Sequence, residues 1–259
     1  DNFFRNISRP TKKMPNVGSR SCRAVFRLHQ RTSAAFPGKK RGVGSKAQVA
    51  GCLSCGQPLR RAGNRHERRD RGCGFSCACF FIERRFREAG LDPIGESGAQ
   101  EGYVQSFRTE SGAVGHNIIG FMNGSRKVHE SEYVIVGAHF DHLGNFSGKM
   151  YPGADDNASG VVTAISLAEM FRISKIIGKA YFKNIIFVAF DAKEKGLSGS
   201  AAFWTALENG RFRDPFTGKT IWPEMVKLMV NIDQIGCSLS PLASGREDYL
   251  LAVDGGTLG

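Results

Sequence analysis

The chain of 259 residues is 41% hydrophobic and 23% charged, enough to bury the core of one α/β domain or of two smaller units. Its net charge of +12 comes from one end, because residues 1–90 hold 21 Lys and Arg against 5 Asp and Glu, and residues 91–259 hold 15 against 19. The mildly acidic remainder argues against nucleic acid as its partner, and no run of eighteen apolar residues is present to span a membrane.

Residues 1–79 differ in composition from the rest of the chain. They are rich in Arg, Gly, Ser and Cys, hold six of the seven cysteines, and show neither a helical nor a strand period. We predict a basic leader that is disordered or non-native, because out-of-frame translation of a GC-rich gene would give this composition. The folded domain is then predicted over residues 80–259.

Two alternatives for the leader stay open. Cys52-x2-Cys55 and Cys73-x3-Cys77 have the ligand spacing of a zinc ribbon. A basic arm would also suit nucleic acid, although aromatic residues are not interleaved for base stacking.

Organised sequence begins near Phe80, where apolar spacing of three to four residues predicts helices and continuous apolar runs predict buried strands. The predicted elements are, in chain order, a helix near 80–89 closed by Gly90, strands at 117–121 and 133–138, a helix from 159, a strand at 184–190, a helix at 198–207 and a strand at 226–232. This alternation predicts an α/β fold, a three-layer α/β/α sandwich with a mixed, largely parallel central sheet.

Polar clusters follow the predicted strands at the points where ligands bind in open α/β sheets. Residues 137–142 (GAHFDH) end one strand, and residues 153–160 (GADDNASG) come next. Glu194 and Asp233 follow the two later strands. One imidazole with several carboxylates is a ligand set suited to zinc, with His139 as the nitrogen ligand.

Asp141 lies two residues after His139, on the same side of an extended segment. Its carboxylate is therefore a candidate to accept the second ring N–H of His139 and so orient the imidazole.

These motifs together resemble the co-catalytic zinc aminopeptidases of the bacterial leucyl aminopeptidase and aminopeptidase S type, whose fold glutaminyl cyclases share. The resemblance covers roughly residues 80–259 and rests on His-Phe-Asp, Gly-Ala-Asp-Asp-Asn-Ala-Ser-Gly, Glu-Lys-Gly-Leu-x-Gly-Ser and Asn-Ile-Asp-x-Ile-Gly in that order. It implies two zinc ions, with His139 on one, Asp156 bridging both, and Glu194 and Asp233 each completing one ion. It also implies a cis peptide between Asp156 and Asn157.

The chain departs from the family pattern at two places. Lys193 stands where the family has the glutamate that acts as general base. The family also has a second histidine ligand towards its C-terminus, whereas this chain has no histidine after Asp233. We expect either a truncated C-terminus or a missing fifth ligand. A lysine beside two zinc ions would have a lowered pKa, and only as a neutral amine would it accept a proton.

The resemblance implies a peptidase that removes N-terminal residues, with peptide or protein N-termini as partners and a secreted or periplasmic location. Lys193 at the general-base position leads us to expect impaired catalysis. The alternative is a non-catalytic homologue of the same fold that binds peptides or has a structural role.

Overall fold

The computed structural model describes residues 77–94, 102–124, 132–179, 183–237 and 252–253. Those up to Gly236 belong to one structural unit, which carries all the elements named below. Residues 1–76 of the predicted leader, and with them the zinc-ribbon and nucleic-acid alternatives, lie outside the described residues. The last three residues of the leader, 77–79, belong to the first helix. The domain boundary at residue 80 stays a prediction.

The described helices are each shorter than eighteen residues, and none is long and apolar enough to cross a bilayer. They are α1 (Cys77–Glu88), α2 (Gly160–Ile176) and α3 (Ser198–Glu208), with a single 3-10 turn at Pro223–Met225. The strands are β1 (Asp92–Pro93), β2 (Val104–Arg108), β3 (Val114–Met122), β4 (Tyr133–His139), β5 (Gly144–Phe146), β6 (Lys149–Tyr151), β7 (Asn184–Phe190) and β8 (Val226–Asn231).

The central sheet has the strand order β1-β3-β7-β4-β8, and β2 also pairs with β3. Strand β4 runs parallel to both β7 and β8, whereas β3 is antiparallel to β7 and to the short strands β1 and β2. The sheet is therefore mixed. Its parallel part consists of β7, β4 and β8, whose carboxyl ends all reach the same edge.

Helices cover the sheet on both faces, because alternate residues of its strands point to opposite sides. On one face, Phe86 of α1 and Ala168 of α2 pack in one apolar cluster with Phe187. On the other face, Phe203 and Leu207 of α3 belong to a second cluster, which includes strand residues next in sequence to those of the first. This arrangement confirms the predicted three-layer sandwich.

The long elements follow the predicted ones closely, and β7 has the predicted bounds. The short strands β1 and β2 and the β5–β6 hairpin were missed. The hairpin is short and exposed, and its two-residue turn at Ser147 and Gly148 has positive φ at both positions, as such tight turns require. Short exposed strands give no apolar run in the sequence.

Candidate metal centre

The candidate site residues meet at the carboxyl edge of the parallel strands. His139 is the last residue of β4 and pairs in register with Phe190, the last residue of β7. Gly137 of β4 pairs with Asn231, so Asp233 leaves β8 next to the same edge. Parallel strands put their carboxyl ends together, and this brings groups far apart in sequence within reach of one another.

The His139 side chain is 4% exposed, and its Nε2 atom faces carboxylates. Nε2 lies 3.0 Å from Asp156 Oδ1 and 3.4 Å from Asp233 Oδ1. Neither approach has hydrogen-bond geometry, so Nε2 and Asp233 Oδ1 are both buried without a hydrogen-bond partner. Buried polar atoms in proteins normally have partners, so these two mark a place for a further group.

The separations of these atoms fit a metal ion. Ligand atoms 2.0–2.2 Å from a tetrahedral zinc ion lie about 3.4 Å from one another. Of the two distances from His139 Nε2, the 3.4 Å to Asp233 Oδ1 equals that separation and the 3.0 Å to Asp156 Oδ1 is somewhat shorter. The ligand atoms of His139, Asp156 and Glu194 also lie within 4.8 Å of one another. The structure therefore brings three of the predicted ligands, His139, Asp156 and Glu194, within metal-binding distance of one another, and it places Asp233 beside His139.

The carboxylates around His139 favour a positive charge at this point. Burial lowers the pKa of the imidazole, but Asp141, Asp156 and Asp233 outweigh it and raise the pKa to about 11. The interactions that stabilise a proton on the ring would also stabilise a metal ion beside it.

Asp141 contacts His139 and also holds the loop after β7. His139 Nδ1 lies 3.1 Å from the Asp141 backbone oxygen and 3.4 Å from Oδ1. The two carboxylate oxygens accept hydrogen bonds from the backbone N–H groups of Lys193 and Glu194, each at 3.0 Å. Burial raises the Asp141 pKa, but these hydrogen bonds and His139 bring it below its usual value. The orienting role of Asp141 stays a prediction, and its hold on the 193–194 backbone was not foreseen.

The Asp156 side chain leaves an irregular turn, Ala154–Ser159, that leads into α2. The peptide between Asp156 and Asn157 is cis, as the resemblance implies. Asp155 points elsewhere, since its Oδ1 accepts a hydrogen bond of 2.6 Å from the Gly236 backbone N–H.

Asn157 ties this turn to the segment after β8. Its buried side chain donates to the Ile232 carbonyl and accepts from the backbone N–H groups of Gly160 and Gln234. Gly160 is needed for this close approach, because a Cβ there would lie 2.4 Å from Asn157 Oδ1 and 2.5 Å from the Ile232 carbonyl oxygen. The Asn-Ala-Ser-Gly part of the motif is thus a clamp between the turn that carries Asp156 and the segment that carries Asp233, two of the candidate ligands.

Lys193 points into the acidic site. Its Nζ donates to Glu194 Oε1 at 2.7 Å and lies 3.4 Å from Asp156 Oδ1. Burial lowers the pKa of the amine, but Glu194, Asp156 and Asp233 outweigh it, and the pKa is raised. The sequence analysis expects zinc ions to lower the Lys193 pKa. The neighbouring carboxylates of the protein have the opposite effect, since they favour the protonated amine.

Two residues that contact the site were not singled out in the sequence as contributors to it. Gln234 Nε2 donates to Asp156 Oδ2 at 3.0 Å, and the Asn157 clamp holds the backbone around that carboxylate. The signal for Asn157 was present, since an amide inside an acidic turn is suited to binding backbone groups. Gln234 gave no comparable signal.

Comparisons with known proteins agree with this site. Residues 117–249, about half of the chain, match the family model described as Peptidase family M28. The stretch contains all four candidate ligands, and the match confirms the resemblance inferred from the motifs.

Individual relatives show the same likeness at low identity. Leucine aminopeptidase 1 of Sclerotinia sclerotiorum is 28% identical over 170 residues, 64% of this chain and 38% of that protein. Aminopeptidase YwaD of Bacillus subtilis is 32% identical over 139 residues, 54% of this chain and 25% of that protein. A solved structure of a Zn-dependent exopeptidase from Parabacteroides distasonis, 18% identical, aligns over 60% of this chain and 52% of its own with a TM-score of 0.40. The chain therefore spans well under half the length of these two aminopeptidases.

Proposed function

Because the chain belongs to peptidase family M28, we propose that it is an aminopeptidase-like protein that binds zinc, receives peptide N-termini and hydrolyses them weakly. The observation that carries the proposal is the buried His139 imidazole, whose unpartnered Nε2 lies within 3.4 Å of two aspartates. The secreted or periplasmic location implied by the resemblance belongs to the same proposal.

Peptide N-termini are proposed as substrates for two reasons. The matched relatives from Sclerotinia sclerotiorum and Bacillus subtilis are named as aminopeptidases. The site also gathers the carboxylates of Asp156, Glu194 and Asp233, and a free α-amino group carries the charge that such a cluster attracts. Asp156 and Asp233 are 40% and 35% exposed, so an approaching amine can reach them.

Each side chain would have a definite task. His139, Asp156 and Asp233 would hold zinc, and Asp141 would fix the His139 ring through Nδ1. A zinc ion in such a site supplies Lewis acidity to a peptide carbonyl and acidifies water. Hydrolysis also needs a group that accepts a proton from the attacking water.

Lys193 is the reason for expecting weak hydrolysis. Its Nζ donates a hydrogen bond to Glu194 Oε1 at 2.7 Å, and an ammonium group offers no lone pair to a proton. General-base catalysis contributes about 10²- to 10⁴-fold in rate, and we expect activity reduced by a factor of that order.

The test is a comparison of two charge reversals. We expect Lys193→Glu to raise kcat/KM for a chromogenic leucine amide by about 100-fold or more, because it supplies a carboxylate base. Lys195→Glu makes the same charge change at an exposed position two residues away and should leave the rate unchanged. Calorimetric titration with zinc checks the premise, and a chain that binds no zinc would contradict the proposal.

The second candidate is a non-catalytic module that binds peptide N-termini. The pairing of Lys193 with Glu194 favours it, because the residue at the general-base position is itself a cation. Calorimetry with a leucyl dipeptide and its N-acetylated form separates the candidates. Binding that depends on the free amine, with no hydrolysis in the wild type or in Lys193→Glu, would establish the module and contradict the enzyme.

A further inference from the structure

The Lys193 ammonium occupies a fixed position on one side of the acidic site. Its backbone N–H is held by Asp141 Oδ1, and the next N–H, that of Glu194, is held by Asp141 Oδ2. The side chain then turns back to its neighbour, with Nζ 2.7 Å from Glu194 Oε1. Nζ is also 3.4 Å from Asp156 Oδ1, so it lies close to both carboxylates.

On the opposite side of the site, no lysine or arginine among the described residues pairs with Asp233, whose close neighbour is the His139 imidazole. Nε2 of the buried His139 and Oδ1 of Asp233 lie 3.4 Å apart, and neither has a hydrogen-bond partner. Asp156 Oδ1 separates the two sides, since it is 3.0 Å from His139 Nε2 and 3.4 Å from Lys193 Nζ. Asp156 Oδ1 is thus the carboxylate oxygen that lies within 3.4 Å of both nitrogens, whereas the ligand atom of Glu194 lies within 4.8 Å of that of His139.

A zinc ion and the ammonium cannot share the Lys193 side. An ion bound by both Glu194 and Asp156 would lie within about 2.2 Å of each oxygen, in the space next to Nζ. A protonated amine has three donors and no lone pair, so it repels the ion and cannot ligate it. Like charges a few ångströms apart in a partly buried site interact strongly.

We propose that Lys193 is a tethered cation that takes the place of a second metal ion, so that the site binds a single zinc through His139, Asp156 and Asp233. The inference rests on the proposed zinc binding. It adds how many zinc ions bind and which residues hold them. Glu194 then serves as the partner of Lys193, and the metal-binding capacity of the site is set by one side chain.

The experiment measures zinc stoichiometry and affinity by isothermal titration calorimetry on the full chain, with metal content checked by elemental analysis. Wild type, Lys193→Gln, Lys193→Arg and Lys195→Gln are compared. Circular dichroism confirms that each variant is folded. Lys193→Gln removes the charge at the site, Lys193→Arg keeps it, and Lys195→Gln removes an exposed charge nearby.

We expect one zinc per chain in wild type, Lys193→Arg and Lys195→Gln. Lys193→Gln should bind a second zinc at least about tenfold more tightly than any second ion in the wild type, because the repelling charge is gone. Two zinc ions in the wild type would overturn the inference and leave the proposed function intact. One zinc in Lys193→Gln, with unchanged affinities, would also overturn it.

Two further outcomes have distinct meanings. No zinc in any of the four proteins would contradict the proposed function itself, and the inference would fail with it. No zinc in the wild type but one in Lys193→Gln would overturn the single-zinc assignment, because Lys193 would then exclude metal from the whole site.

Discussion

The two sides of the acidic site differ in how their charges are balanced. On the histidine side, formed by His139 and Asp233, two buried polar atoms face each other without hydrogen-bond partners. On the lysine side, formed by Lys193 and Glu194, an ammonium already pairs with the carboxylate. Unpaired buried polar groups are costly, so the histidine side, where His139 Nε2 and Asp233 Oδ1 lack partners, is the side where a bound metal ion gains most.

The largest expected effect comes from His139→Ala on the histidine side. The imidazole is the nitrogen ligand that completes this side, and replacing even residues that only support a metal ligand typically costs 10–100-fold in affinity. We expect zinc affinity to fall by more than about 100-fold, measured by competition with a zinc-binding dye. His116→Ala is the control, because its ring lies 3.0 Å from Ser106 Oγ on the antiparallel strands. Equal losses in the two variants would contradict the assignment.

A matched pair of carboxylate-to-amide changes tests the two sides against each other. Asp233→Asn should lower zinc affinity by about 100-fold, since its oxygen lies 3.4 Å from His139 Nε2 and is free of other partners. Glu194→Gln should lower it by less than about tenfold, because Lys193 holds that carboxylate. The same dye competition measures both. A larger loss in Glu194→Gln would place the ion on the lysine side.

Asn157→Ala tests the clamp that joins the Asp156 turn to the segment after β8. The change leaves the buried Ile232 carbonyl and Gly160 N–H without their partner, and each such group costs about 1–3 kcal/mol. We expect the free energy of unfolding to fall by about 2–4 kcal/mol in urea titrations. Asn209→Ala removes one exposed hydrogen bond at the end of α3 and should cost less than about 1 kcal/mol. Similar costs would show that the clamp adds little.

The smallest effect is expected for Gln234→Ala. Its side-chain amide donates one exposed hydrogen bond to Asp156 Oδ2. The Asp156 carboxylate lies between the histidine side and the lysine side of the site. A single hydrogen bond of this kind contributes about 0.5–1.5 kcal/mol. Zinc affinity should therefore change by no more than about tenfold in the dye competition. A loss comparable to that of His139→Ala would make Gln234 a direct participant in metal binding.

The long buried elements were predictable because their signals are local. Strands β4 and β7 are continuous apolar runs, and α1 ends where Gly90 takes a positive φ of 70°. The exposed β5–β6 hairpin has no such run, and its Ser-Gly turn is a weak signal. Strand β2 is only five residues long, and its one buried residue is the polar Gln105, so it gives no apolar run either.

The sequence by itself determined the fold class, the family and the chemical identity of the four candidate ligands, since residue type and order along the chain encode all three. Only the tertiary structure decided which charges meet. Whether Lys193 turns towards Glu194 or away from it, and whether His139 Nε2 keeps a hydrogen-bond partner, depends on parallel strands bringing residues 139, 156, 193 and 233 to one edge. The balance of charge in a site depends on distances of a few ångströms, and distances between residues so far apart in the chain are fixed by packing.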